Sequence, residues 1–97
     1  MLTFLSRMTV KADKEAEFLQ LVEKLTAAVR ASEPDTLQYQ FYKLRDTERG
    51  YAVFESFTDA AAEERHLDTP HFHEIAPPMI ECLDGPYERE YLDDLPG

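Results

Sequence analysis

Hydrophobic side chains follow two different periods along this chain, and the order of those periods limits the folds open to it. Apolar residues recur at every second position over 2–10, which is typical of a strand. Over 18–29 they recur every three or four positions, which is typical of an amphipathic helix. The two-residue period returns over 36–44 and 51–57, and the polar segment between them predicts a hairpin.

Short polar residues mark where the helices should begin. Asp13 is the expected N-cap of the first helix, and Thr58 or Asp59 that of a second, short helix. Thr69 followed by Pro70 predicts a third start, because proline is well suited to the first helical position. The short helix is expected over 60–67, directly before this third start.

Proline residues mark where the helices should end or bend. Glu33 precedes Pro34, which pushes it out of the α region and ends the first helix. Pro77 and Pro78 are expected to kink or restart the last helix, because neither can donate a backbone hydrogen bond. A final short strand is expected over 87–92.

The resulting order is β-α-β-β-α-β, with the second helical region split in two. It predicts an α+β fold of the ferredoxin-like kind, a four-stranded antiparallel sheet with helices on one face. A chain of 97 residues has the length of one domain, so we expect a single domain over 1–97 with a loose tail at 93–97.

The predicted strands carry large apolar residues on both faces. A sheet covered by helices on one side should be polar on the other. Instead Leu5, Tyr42, Leu44 and Phe54 lie opposite an equally apolar face. A second copy of the chain packed sheet against sheet would cover them, and we therefore expect a homodimer.

Charge and composition exclude several classes of function. The chain has 20 acidic and 10 basic side chains, which argues against binding to nucleic acid or to an anionic membrane. It shows neither an apolar run long enough to span a membrane nor a signal-peptide pattern at its start. Cys82 is the one cysteine and fits a small core residue in a reducing compartment, so a cytoplasmic location is expected.

Three histidines form the one cluster of potentially reactive side chains. His71 and His73 lie two positions apart on a predicted helix, so they point in different directions and should not share a metal ion. We expect both to be ordinary half-exposed residues and expect no metal site. His66 should close the short helix facing the sheet, where it could act as a general acid or base or could cap the helix end.

Glu55 is unusual because it is a carboxylate inside an otherwise apolar strand. A buried carboxylate must be paired or protonated. Glu55 could therefore meet Arg7 or another donor, or it could serve a functional site.

Three segments in succession resemble the antibiotic biosynthesis monooxygenase domain. They are EPDTLQYQFY at 33–42, FESFTDAA at 54–61 and HLDTPHF at 66–72, which are similar to that family's strand, cap and helix motifs. The resemblance covers about 2–91. It departs from the family at Asp35, where glycine is usual, and at the Pro77-Pro78 pair.

The resemblance implies a dimeric α+β barrel with a pocket between the sheet and the helices of each subunit. Members of the family include enzymes that oxygenate phenols or quinols without metal, flavin or other cofactor. By the same resemblance, His66 and Glu55 match the recurring catalytic residues, and Ser6, Tyr39 and Phe72 would bind the substrate.

A related haem-degrading branch of the family is disfavoured. The places of its asparagine, tryptophan and haem-ligating histidine are taken here by Ser6, His66 and Ala76. The leading hypothesis is thus a monooxygenase acting with dioxygen on a quinol, polyphenol or similar small aromatic. One alternative is an isomerase or degradative enzyme with His66 as proton carrier. The other is a non-catalytic ligand-binding dimer, which a pocket too small or too open for an aromatic, or lined only by hydrocarbon, would favour.

Overall fold

A computed structural model of the protein describes residues 1–97. The sheet order is β2-β3-β1-β4, and every pair of neighbouring strands is antiparallel. This is the ferredoxin-like α+β fold predicted from the sequence. The elements in chain order are β1 (Leu2–Thr9), α1 (Glu15–Ser32), β2 (Thr36–Lys43), β3 (Gly50–Phe57), α2 (Ala60–Leu67), α3 (Pro70–Glu81) and β4 (Glu88–Tyr91).

Strand register decides which side chains face the helices. Glu55 on β3 pairs with Phe4 on β1 and with Tyr39 on β2, and Ser6 pairs with Val53 one step along the same face. Directly opposite residues in a sheet share a face, so all of these side chains point toward the helices. An irregularity between Thr36 and Gln38 sets this register and leaves the intervening Leu37 exposed.

The core lies between this face of the sheet and the helices α1 and α3. Eleven buried residues form its main cluster, with Phe18 and Leu25 from α1 and Ile75 from α3 among the most buried. Cys82 belongs to this cluster and is 1% exposed, as expected of a small core residue. A second cluster of Phe4, Phe57 and Ala62 packs α2 onto the sheet.

Two of the predicted helix caps form, and one does not. The Asp59 side chain accepts a hydrogen bond from the Ala62 backbone N–H at 2.8 Å, and Thr69 accepts one from Phe72 at 3.2 Å. Asp13 was expected to cap α1, but Lys14 occupies the N-cap position and makes no side-chain hydrogen bond there. Glu33 ends α1 at its C-cap, as predicted from the following proline.

Helix α3 runs without interruption from Pro70 to Glu81, so the restart that was one of two expected effects of the prolines does not occur. Pro77 and Pro78 leave the carbonyls of His73 and Glu74 without their helical donors. Both of those residues are exposed, so water can take the place of the missing donors. The helix therefore tolerates the pair at its solvent side.

The opposite face of the sheet has no helix over it. Leu5, Leu44 and Phe54 are half-buried there and Tyr42 is 52% exposed, in keeping with the two-sided apolar pattern of the strands. The dimer expected to cover this face stays a prediction. None of the three helices has the length and apolar character that crossing a membrane requires.

Candidate active site

A cavity of about 130 Å³ lies between the sheet and the helices. An engineered protein cavity of about 150 Å³ holds one benzene molecule, so this space suits a single aromatic ring. Thirteen of its 18 lining residues are hydrophobic. The polar remainder consists of Ser6, Glu55, Glu63, His66 and Arg89.

His66 lies at the inner wall of this cavity and is 2% exposed. Its place in the last turn of α2 points the imidazole at the sheet. The rings of Tyr39, Phe57 and Phe72 surround it, with centroid distances of 5.4, 5.5 and 5.1 Å. Aromatic packing on three sides leaves the imidazole little freedom to reorient.

The two nitrogens of His66 face different carboxyl groups. Nδ1 lies 2.8 Å from Oε1 of Glu33, while Nε2 lies 3.8 Å from Oε1 of Glu55 in the cavity. A carboxylate at hydrogen-bond distance takes the proton-bearing nitrogen as its donor. Neutral His66 therefore carries its proton on Nδ1 and presents the free electron pair of Nε2 to the cavity.

Burial moves the pKa values of His66 and Glu55 in opposite directions. Desolvation raises the pKa of Glu55 from 4.5 to about 8; the charge of Arg89 opposes this, and those of Glu63 and Glu33 add to it. Desolvation also lowers the pKa of His66, although Glu33 acts against it. Near pH 7 the cavity thus holds a neutral imidazole base beside a protonated carboxyl group.

Ser6 contributes a hydroxyl group with no hydrogen-bond partner in the protein. The residue is 3% exposed, and its Oγ atom is fully buried at the cavity wall. A buried hydroxyl without a partner costs free energy, which a polar atom of a bound molecule could recover. Ser6 is therefore a second polar contact point in the cavity, besides the His66–Glu55 pair.

Arg89 is a functional candidate that no pattern in the sequence singled out. Its guanidinium group lies 3.8 Å from the centre of the Phe4 ring and 3.1 Å from Oε2 of Glu63. It comes from β4, a short edge strand of exposed charged residues in which nothing distinguishes one arginine from a surface charge. Only the pairing of β4 with β1 places it opposite Ser6.

Glu33 and His71 also join the site. His71 is half-exposed on its helix as expected, but its Nε2 atom contacts Oε2 of Glu33, a contact that was not predicted. His73 is more exposed than expected and reaches only Asp68, at 3.2 Å. In the sequence, Glu33 was noted only as the residue before a proline that ends the first helix. Its contacts with His66 and His71 were not predicted.

Glu33 stays ionised despite its position. Burial would raise the pKa of its carboxyl group, but hydrogen bonds from His71 and Thr36 and the proximity of His66 together hold it below the usual 4.5. The Thr36 hydroxyl donates to Oε1 at 2.7 Å. A charged carboxylate therefore stands behind the imidazole base.

Glu33, His66 and His71 bring three potential metal ligands within 4.8 Å of one another. Zinc ligands at about 2.1 Å in tetrahedral geometry would lie about 3.4 Å apart. Here the two imidazoles instead approach separate oxygens of one carboxylate at hydrogen-bond distance or closer. In this structure the three groups therefore form a hydrogen-bonded chain.

All the residues predicted for the site meet in the same cavity. His66, Glu55, Ser6, Tyr39 and Phe72 line it together, so the structure brings them together without showing what each of them does. One predicted pairing does not occur. Arg7 points away from Glu55, as alternate positions of β1 must, and it pairs with Glu90.

The fold and the cavity together define a small ferredoxin-like α+β domain that encloses a histidine–carboxyl pair. A family model described as antibiotic biosynthesis monooxygenase matches residues 1–77. The chain therefore belongs to the antibiotic biosynthesis monooxygenase family.

Similar proteins include both uncharacterised and studied members. The chain is 34% identical over 79 residues to the uncharacterized protein sll1783 of Synechocystis sp., covering 81% of this chain but only about half (53%) of that protein. A Caulobacter crescentus protein assigned to the antibiotic biosynthesis monooxygenases matches with a TM-score of 0.90 and 29% identity, over 98% of this chain and 90% of that one. SnoaB, a cofactor-independent oxygenase from Streptomyces nogalater, matches with a TM-score of 0.79 and 25% identity, over 99% and 94% of the two chains.

Proposed function

We propose that the protein is a cofactor-independent monooxygenase that oxidises a single-ring phenol or quinol with dioxygen. The observation that carries the proposal is the free Nε2 of His66 beside protonated Glu55, in the wall of an apolar cavity sized for one ring. Membership of the family and the likeness to SnoaB, itself a cofactor-independent oxygenase, support the reaction class.

His66 starts the proposed reaction by taking a proton from the substrate. A phenol hydroxyl that points at Nε2 gives up its proton to the neutral imidazole, which becomes a cation. Glu33 stabilises this cation through the hydrogen bond from Nδ1. The phenolate that forms is electron-rich and can itself pass an electron to dioxygen, so the substrate supplies the reducing power.

The atoms balance without an external reductant. Oxygen bonds to a ring carbon that carries hydrogen, and the peroxide anion that forms takes back the proton held by His66. The resulting hydroperoxide loses water, with the hydrogen of that ring carbon, to leave a carbonyl group. One oxygen atom of dioxygen thus enters the product, the other leaves in water, and the ring loses two hydrogens. Protonated Glu55 can donate a hydrogen bond to the departing oxygen, and the mainly apolar walls offer water few partners near the ring.

Ser6 gives the proposal a substrate preference. Its unpartnered hydroxyl lies on the same face of the sheet as Glu55. A ring with two oxygen substituents could satisfy both positions, so diphenols and quinols suit the cavity better than monophenols.

The cavity disfavours the non-catalytic alternative. A site that only binds an apolar ligand needs no more than hydrocarbon walls. This cavity also holds an acid, Glu55, a base, His66, and the unpartnered hydroxyl of Ser6. An isomerase could also use the His66–Glu55 pair, and it would be recognised by turnover of a substrate without oxygen uptake.

The proposal includes a homodimer formed through the open face of the sheet, where Leu5, Tyr42 and Phe54 lack a helical cover. It also includes a cytoplasmic location, in keeping with a single buried cysteine. The proposed proton transfer uses His66, Glu33 and Glu55, which belong to the same chain.

Oxygen uptake tests the proposal directly. The wild type, His66→Gln and the matched control His73→Gln are compared with single-ring quinols in an oxygen electrode, after circular dichroism has shown that all three are folded. We expect uptake to fall about 10²- to 10⁴-fold in His66→Gln and to stay unchanged in His73→Gln. Equal uptake in all three proteins would remove the role of His66.

A further inference from the structure

One carboxylate, that of Glu33, is shared between two imidazoles. His66, which lines the cavity, contacts its Oε1 atom, and His71, which lies on α3 and does not line the cavity, contacts its Oε2 atom. The side chains of Glu33 and His66 are 8% and 2% exposed, whereas that of His71 is 16% exposed. The three groups thus form a chain from the reactive nitrogen to a position nearer solvent.

A shared carboxylate makes the charges of its two partners compete. Glu33 carries one negative charge, which can offset one imidazolium ion but not two. While His71 is neutral, that charge favours a proton on His66. Once His71 takes up a proton, its positive charge offsets Glu33 and repels a second positive charge on His66.

We propose that Glu33 and His71 are positioning residues that set the tautomer and the basicity of His66. Glu33 holds the proton on Nδ1, so that Nε2 faces the cavity unprotonated. His71, through Glu33, sets how readily Nε2 takes a proton. The relevance to turnover rests on the proposed function, whereas the effect on His66 does not.

The other groups around His66 do not replace Glu33. Burial and the nearby carboxyl groups raise the pKa of Tyr39, so its hydroxyl stays neutral, and Glu55 is protonated near pH 7. Glu63 on α2 is paired with Arg89 of β4. Among the groups that face this imidazole from β2, β3, β4, α2 and α3, none makes a hydrogen bond to a ring nitrogen of His66. Control of its tautomer therefore lies with Glu33.

Nuclear magnetic resonance of the ¹⁵N-labelled imidazoles tests this without requiring turnover. Spectra of the wild type, Glu33→Gln, His71→Gln and the control His73→Gln are recorded against pH in buffer with EDTA, so that only protons titrate the rings. In the wild type at high pH we expect His66 to carry its proton on Nδ1. In Glu33→Gln the midpoint of its titration should move to lower pH by about one unit or more.

His71→Gln gives the opposite and more diagnostic shift. Removing the competing imidazole should move the His66 midpoint to higher pH, while His73→Gln leaves it unchanged. A merely structural role of His71 would not produce that direction of change. If Glu33→Gln does not fold, the His71→Gln result alone decides the matter.

An unchanged His66 midpoint in His71→Gln, or a proton on Nε2 in the wild type, would overturn the inference. The two proposals can fail separately. Shifts as expected without oxygen uptake would refute only the proposed function. Uptake that depends on His66 without these shifts would refute only the roles of Glu33 and His71.

Discussion

Nε2 of His66 and Oε1 of Glu55 lie 3.8 Å apart in the wall of a mainly apolar cavity, and near pH 7 neither group carries a charge. In water the two would form an ion pair, because a carboxyl group is the stronger acid. Burial reverses the order of the two pKa values, because it raises the pKa of Glu55 and lowers that of His66. The result is a base and an acid that can act in the same catalytic cycle.

The pH dependence of turnover follows from this reversed order. Activity needs neutral His66, so kcat/KM should rise with pH through the pKa of His66, which lies below the ordinary 6.5. Activity also needs protonated Glu55, so kcat/KM should fall again near pH 8. A bell-shaped profile measured by oxygen uptake would bear this out, and a profile that still rises above pH 9 would contradict the role of Glu55.

Glu55→Gln tests which form of Glu55 is active. Glutamine keeps a hydrogen-bond donor at this position but cannot lose a proton. We expect the variant to keep activity within about tenfold of wild type and to lose the alkaline limb of the profile. The activity of Glu55→Ala, which has no hydrogen-bond donor at this position, should be about 10²-fold lower than that of the wild type. Activity in Glu55→Ala equal to that in Glu55→Gln would show that the donor is not used.

Glu55 should also make stability depend on pH. Its pKa in the folded state, about 8, lies above the ordinary 4.5, so between those values the folded state holds a proton that the unfolded state releases. Stability contributed by the protonated group is complete below pH 4.5 and is lost as the pH rises toward 8. Glu55→Gln should therefore raise the melting temperature at pH 8 by about 5 °C and change it little at pH 4. The exposed Glu64→Gln is the matched control, and equal shifts in both variants would contradict the account.

Much of the fold could be predicted because its signals are local. Hydrophobic periods, two N-caps and the prolines after Glu33 and Thr69 depend only on neighbouring residues. His66 and Glu55 stood out because each is a titratable group in an apolar setting. In contrast, the contact between Glu33 and His71 joins residues 38 positions apart, and it exists only once α3 packs beside the end of α1.

Other errors have the same origin in tertiary structure. The passage of α3 through Pro77 and Pro78 depends on which carbonyls face solvent, which the sequence does not state. Arg89 becomes part of the cavity only through its place opposite Ser6 at the sheet edge.

Ser6→Ala tests whether the cavity binds a second substrate oxygen. The substitution removes a buried hydroxyl that has no partner in the protein. We expect KM for a diphenol to rise about tenfold and KM for the matching monophenol to change less than about twofold. Thermal stability of the unliganded variant should stay the same or increase. Equal effects on both substrates would show that Ser6 does not contact the second oxygen.

If the dimer forms through the open face of the sheet, a charged side chain placed on that face should disrupt it. Tyr42 is 52% exposed on β2, and Leu19 is 49% exposed on α1, away from that face. Light scattering should show that Tyr42→Glu is monomeric and that the control Leu19→Glu stays dimeric like the wild type. A dimeric Tyr42→Glu would place the interface elsewhere.

The central claim is that His66 initiates the transfer of one oxygen atom from dioxygen to an aromatic ring. Mass spectrometry of the product formed under ¹⁸O₂, with EDTA present and a single-ring quinol as substrate, measures it directly. We predict one ¹⁸O atom in each product molecule from the wild type and a loss of labelled product of about 10²-fold or more in His66→Gln. An unlabelled product, or equal amounts of labelled product from the two proteins, would contradict the account.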